Sequence, residues 1–324
     1  MRKRKTSIQQ IILGLSFLSI VAIILYFWPI GRPLTAYALK ARSQKLLAYL
    51  LVAIGTSLSS ISFQTLSGSR FLTPNILGLE NLYVLIQTIF YWFSWKLVGD
   101  LAFDPVVECL VLIGIQALFF MVLQPMIQIL LKQGLMLILL ICMALGTLFR
   151  SLSTFIQVSM DPNEYDQLQA RLFPSFQRMN LEILGLLLMF SVGLVIFYWR
   201  KTAILDVLHL GRDTATVLGV QVEREKRHIL WLIVLTVSAI TALVGPLAYL
   251  GFLVSNLTYE LTKTYRHREL FTVGSLMGLL ILVSGQFIIE RLLGYNLNIS
   301  MIIELIGGSL FFYLIYRERK RHET

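Results

Sequence analysis

Histidines at 209, 228, 267 and 322 and cysteines at 109 and 142 are the side chains with which this chain could ligate a metal ion or attack a substrate, and their spacing supports neither. No two histidines stand at the interval that puts a ligand pair on one helix face. Cys109 and Cys142 both lie inside apolar runs and read as free core thiols, not as a disulfide or a thiolate metal site. The chain has no Gly-x-x-x-x-Gly-Lys-Ser/Thr phosphate loop, no His-Glu-x-x-His and no Ser/His/Asp grouping on one side of a membrane. It reads as neither an ATPase nor a membrane hydrolase, with no cofactor and no metal site. What remains is a polar segment, Leu205 to Val220 (LDVLHLGRDTATVLGV), with two short helix-like pieces, between runs that belong in lipid. A membrane protein without an energy-converting motif needs a surface that receives work from outside, and this segment is the best candidate. Arg150, Glu304 and Glu80 stand out among the ionisable residues inside apolar runs, where charge is costly and marks a pathway or a pair. Arg150 and Glu304 read as a structural ion pair or as cargo contacts. Glu80 reads as a group near the cytoplasmic end of its span that reaches water or caps a helix start.

The elements that position these residues follow from composition. Hydrophobic residues make up 56% of the chain and charged ones only 14%, and mean hydropathy is +0.74, which defines an all-α polytopic membrane protein. Apolar runs lie at 8–28, 46–66, 76–95, 106–123, 134–158, 181–199, 229–257, 270–289 and 299–316, each about long enough for the ~30 Å hydrocarbon layer. The first follows Arg2, Lys3, Arg4 and Lys5 and lacks a small-residue cleavage site, so it reads as a retained helix. Both termini are basic, the last through Arg317, Arg319, Lys320 and Arg321, which places both in the cytoplasm and requires an even number of spans. The 229–257 run supplies the extra crossing, because Gly245-Pro246 breaks a helix in its middle. Ten spans result, and most of the 28 basic residues then fall on the cytoplasmic side. Basic residues cluster at run ends instead of forming a stripe with aromatics, so the +10 charge points to membrane topology and lipid, not to nucleic acid. The stretch 247–257 is short for a crossing, and Thr73-Pro74-Asn75 makes a second polar turn before the third span. Irregular backbone at membrane depth is expected at both places, satisfied by protein or by a water-filled cavity. Met121, Met126, Met136, Met143 and Met189 read as gap-filling core residues.

Phe63 to Leu79, FQTLSGSRFLTPNILGL, resembles the segment joining the second and third helices of permeases that import iron–siderophore complexes and vitamin B12, the FecCD-type family of ABC transporters. The resemblance continues in Leu210-Gly211, Leu218-Gly219-Val220, Glu223 to Arg227, Gly245-Pro246 through Leu250-Gly251, His267-Arg268 and Gly307. It implies a type II ABC importer permease: one transmembrane domain over residues 1–324, some of its helices short or broken, paired with a second permease subunit in the cytoplasmic membrane. It implies that a separate cytoplasmic ATPase docks on the loop at 200–228, with Leu205, Leu210, Gly211, Arg212, Asp213, Leu218 and Gly219 carrying the coupling. It also implies that an extracytoplasmic siderophore-binding protein docks outside on Arg42, Lys45 and Arg291, where the alternative is headgroup anchoring. The loop Ser159 to Asn180 reads as a lid over the pathway mouth or a binding-protein contact.

Departures from the family pattern are Arg70 where a proline is usual, Ser255-Asn256 for Pro-His, and Ser309 for a proline. They resemble a branch that uses two different permease subunits, and they favour a ferric siderophore over vitamin B12; a vitamin B12 or heme importer permease is the alternative. The implied mechanism is alternating access driven by ATP. An ion-driven secondary transporter is the rival, disfavoured by the sparsity of intramembrane carboxylates, and a structural scaffold is the third reading.

Overall fold

The computed structural model describes residues 2–28, 35–98, 104–133, 135–176, 181–291 and 298–322, with side chains described except at 2–7, 94–98, 126–133, 135–136 and 317–322. Among the described residues the chain is all helical. The helices are α1 (Arg2–Phe27), α2 (Ala36–Ser67), α3 (Leu79–Val98), α4 (Pro105–Gln133), α5 (Leu135–Val158), α6 (Pro162–Leu172), α7 (Leu181–Leu208), α8 (Arg212–Val217), α9 (Val222–Val244), α10 (Leu250–Thr262), α11 (His267–Arg291) and α12 (Ile299–His322). Eight of them are long and apolar enough to cross a membrane. The aromatic and polar content of α3 dilutes its hydropathy, and α10, with 13 residues, spans only about 20 Å at 1.5 Å per residue. With those two the bundle has the ten rods expected from the sequence, while α6 and α8 lie outside them.

The core is organised around α2, 32 residues long and buried along most of its length. Its small residues let neighbours approach backbone to backbone, as small-residue faces do in membranes. A Cβ on Gly251 would collide with Ser60, one on Gly274 with Ser57, and one on Gly278 would sit 3.1 Å from the Cβ of Ala53. The first of these contacts places the start of α10 beside the C-terminal half of α2, at Thr56 and Ser60. On the other flank, Gly78 and Gly146 bring the start of α3 against α5.

The break at Gly245-Pro246 is where the sequence places it. α9 ends at Val244, and Gly245 has φ 93°, a left-handed conformation that few side chains tolerate. The second break is a 3-10 turn, Pro74–Leu77, closed by Gly78 at φ 77°.

Candidate functional site

The coupling segment is one short helix, not two. Its first helix-like piece is the end of α7, which runs on to Leu208, and the second is α8, six residues long. Gly211, at φ 99°, caps the start of α8 and Gly219, at φ 82°, ends it. The Val220 N–H donates to the Ala215 carbonyl and the Gly219 N–H to Thr216, the paired bonds by which a left-handed residue terminates a helix. Leu205, Leu208, Ala215 and Val222 are buried in the same cluster as Ile229 and Phe271, which roots the loop in the core. The opposite side projects outward: Leu210 is 55% exposed, Val217 87% and Leu218 58%. A rigid helix with an exposed apolar edge is a surface built to be covered.

Arg212 was expected to reach a partner, yet it pairs at 2.9 Å with Glu223 of α9 and so holds α8 against its own chain. Lys201 and Glu225 make a second tie at 2.6 Å between α7 and α9. Asp213, exposed, is in the first turn of α8.

The root of the loop carries a hydrogen-bonded chain that the sequence reading missed. Asp206 Oδ1 sits 2.7 Å from both the backbone nitrogen and the Nδ1 of His267, which is fully buried. His267 Nε2 lies 2.8 Å from Thr65 Oγ1. The end of α7, the start of α11 and the central helix α2 therefore meet on one imidazole. His267-Arg268 was visible as a family match, but only tertiary contact reveals Asp206 and Thr65 as its partners.

The two backbone breaks are laced to each other. The Asn75 side chain donates to the Ala248 carbonyl, and Glu80 accepts the Leu247 N–H. Glu80 thus lies in the first turn of α3, the helix start expected of it, and is held there against the α9–α10 junction. Ser175 N–H donates to the Val244 carbonyl, bringing the segment after α6 onto the same junction. This is protein satisfying irregular backbone at membrane depth, as required there. Two departures from the family pattern also meet, since Asn256 donates to the Arg70 carbonyl at 3.1 Å.

Other expectations need correction. Arg150 and Glu304 make no ion pair among the described residues: each is exposed, on α5 and α12 respectively. Met121, Met143 and Met189 are 56%, 55% and 76% exposed, so they cover outward faces and do not fill the core. The side chains of Met126 and Met136 lie outside the described residues. Cys109 and Cys142 are free and buried, as expected.

At the other end, Arg42 is turned inward, donating to the Tyr26 carbonyl at 2.7 Å and approaching Glu290 at 3.4 Å. Its side chain keeps only 20% of its surface exposed. Arg291 donates to the Trp28 carbonyl at 2.6 Å, and Lys45 lies within electrostatic reach of both Glu290 and Arg42. The three basic residues come together, as a seam joining the ends of α1, α2 and α11. In the loop after α5, Leu168 and Leu172 of α6 pack with residues of α3, and Tyr91 donates to Gln167 at 2.8 Å. Residues 177–180 of that loop lie outside the described residues.

Among the described residues, a bundle of ten rods with a break between the seventh and a short eighth, and a rooted, outward-projecting short helix, is the build of a membrane permease. The pattern of the FecCD transport family matches residues 6–317, and the chain belongs to that family. It is a transport permease subunit of an ABC importer, a multi-pass protein of the bacterial cell membrane. It is 37% identical over 309 residues to the petrobactin import system permease protein YclO of Bacillus subtilis (strain 168), covering 94% of this chain and 96% of that one. It is 31% identical over 293 residues to the petrobactin import system permease protein FatC of Bacillus anthracis, covering 90% and 82%. A solved metal-chelate type ABC transporter in an inward-facing conformation shares the fold, with TM-score 0.79 and 23% identity over 95% of this chain and 99% of that one.

Proposed function

We propose that this permease carries a ferric siderophore across the cytoplasmic membrane by alternating access, driven by a separate ATPase. The observation that carries the cargo class is its 37% identity, over nearly its full length, to a permease named for petrobactin import. The ATPase docks on α8, covering Leu210, Val217 and Leu218. Closure of the ATPase dimer moves α8, and the Asp206–His267–Thr65 chain passes that displacement to α2 and α11. Leu205, Gly211, Arg212 and Gly219 position the helix, and Asp213 faces the partner. Ligands shift such states only through differential affinity, which the binding protein supplies outside and ATP inside.

A second permease subunit covers α5 and α12. Charged residues on a lipid-facing surface are costly, and Arg150 and Glu304 occupy those exposed faces, so both line the pathway or the subunit seam. A different partner chain fits the departures at Arg70, Ser255, Asn256 and Ser309. Both termini and α8 lie in the cytoplasm. The external binding protein docks over the Arg42, Lys45 and Arg291 seam, with α6 as a lid beside it. Uptake of radio-labelled iron on a panel of siderophores, in cells with and without this chain, tests the cargo: loss confined to one siderophore class is expected, and unchanged uptake across the panel would refute it.

A further inference from the structure

Beside the coupling loop, between the α2–α3 turn and the start of α9, lies a cleft of about 340 Å³. Its walls bring Arg70, His209, Arg212 and Lys226 together from three segments, the α2–α3 turn, the coupling loop and α9, with Gln64 and Tyr259 beside them. Among the described residues no carboxylate lines it. Glu223, just outside, pairs with Arg212. Among the described residues neither Arg70 nor Lys226 makes an ion pair, and Arg70 instead stacks over the Tyr259 ring at 4.9 Å. With Glu223 shared between Arg212 and Lys226, the three cations Arg70, Arg212 and Lys226 leave the cleft a net charge of about +2. His209 bears the consequence: partial burial first, then the neighbouring His267 and Arg70, hold its imidazole below the usual histidine range.

One further group selects among anions. Gln64 is 3% exposed. Its amide nitrogen donates to the Arg70 carbonyl at 2.7 Å, but its carbonyl oxygen, buried, has no hydrogen-bond partner. A buried acceptor without a donor costs free energy. Gln64 lines the cleft, and an anion that ends in a protonated oxygen supplies that donor once the side chain turns its oxygen to the cleft, while its charged oxygens meet the cations.

We propose that this cleft binds a phosphate group, whose two negative charges match the cations and whose P–OH donates to Gln64 Oε1. Sulfate has the charge but not the proton at neutral pH, so the cleft prefers phosphate. The phosphate is hydrogen phosphate from solution, or the headgroup of a phosphomonoester lipid in its singly protonated form, which keeps the P–OH and gives up one of the two charges. Because it bridges Arg70, Arg212 and Lys226, the ligand clamps the α2–α3 turn to the coupling loop and regulates α8 independently of the cargo.

The test uses the full chain in phosphatidylcholine nanodiscs, read by hydrogen exchange of segments 64–70 and 209–212 and by binding of ³²P-labelled inorganic phosphate. Saturable binding with protection of both segments is expected, with sulfate clearly weaker. Lys226→Gln, on the rim, and Arg70→Gln each lower affinity, and together by at least about tenfold, each ~1.4 kcal/mol lost being a factor of ten. Thermal unfolding without phosphate checks that the variants fold. Protection in discs containing phosphatidic acid, with no soluble phosphate, assigns the source to lipid. The proposal is overturned if neither probe protects the segments, if sulfate binds as well as phosphate, or if only the added ATPase protects them, which would make the cleft a seat for a protein side chain. None of these outcomes depends on the transported cargo.

Discussion

Replacing Val217 and Leu218 together by serine probes the contact through which the permease is driven. Val217 is 87% exposed and Leu218 58%. Full burial of such side chains is worth roughly 1.5–3 kcal/mol each, so covering the exposed part yields roughly 1.5–2 kcal/mol for Val217 and roughly 1–1.5 for Leu218. Allowing for area not covered by the partner, about 2–3 kcal/mol is lost, a dissociation constant about 30–140-fold weaker. The permease itself is unaffected, because neither side chain belongs to the buried cluster that roots α8. Association of the ATPase with nanodisc-held permease, measured by fluorescence titration with thermal unfolding in parallel, separates the two effects. Unchanged affinity would remove α8 as the docking surface; loss of permease stability would show that these side chains pack internally.

Four further outcomes follow from the same contacts. His267→Ala removes a fully buried group bonded to Asp206 and Thr65 and is expected to cost about 2–4 kcal/mol, seen as a lowered unfolding temperature; an unchanged temperature would show that the chain carries no structural weight. Gly274→Ala forces a Cβ onto Ser57 and costs about 1–3 kcal/mol by overpacking; Ser57→Ala restores part of it, since the Ser57 hydroxyl is buried without a hydrogen-bond partner, and a double-mutant cycle with no coupling would refute the contact. His209 has a folded pKa below its unfolded value, so the unfolded chain binds the proton first and stability falls as pH drops through the ordinary histidine range; His209→Gln flattens that decline in a pH-dependent unfolding series, and an identical profile would contradict the assignment. Arg42→Glu and Arg291→Glu weaken docking of the external binding protein most at low salt, with Arg42→Glu also lowering permease stability through loss of the Tyr26 and Glu290 contacts; salt-independent docking by both variants would sink the docking reading.

The parts of the fold that were legible in the sequence are those set by local physics. Gly245-Pro246 breaks a helix whatever surrounds it, and the 3-10 turn at Pro74 follows from a proline between polar residues. The glycines at 211 and 219 marked the ends of α8 for the same reason, although the piece before Gly211 continues α7 because Leu205 and Leu208 find a core to enter. Partner choice was not legible. Arg212 met Glu223, eleven residues on and within reach only because the chain reverses at Gly219. Arg42 turned to Tyr26 and Glu290, which are distant in sequence. Asp206, His267 and Thr65 stand on three helices, so no spacing rule connects them. Arg150 and Glu304, each the odd charge in its apolar run, project outward on separate helices. The methionines misled because hydrophobicity gives the same signal for a residue facing lipid as for one facing the core.

The central claim is that ATP hydrolysed by a partner, and not an ion gradient, moves a ferric siderophore through this permease. Proteoliposomes holding this chain, its partner permease and the ATPase, supplied with the binding protein and radio-labelled ferric siderophore, test it directly. Uptake that requires enclosed ATP, persists with ionophore and disappears on Val217→Ser with Leu218→Ser is the expected result. Uptake that continues without ATP and collapses with ionophore would contradict the account.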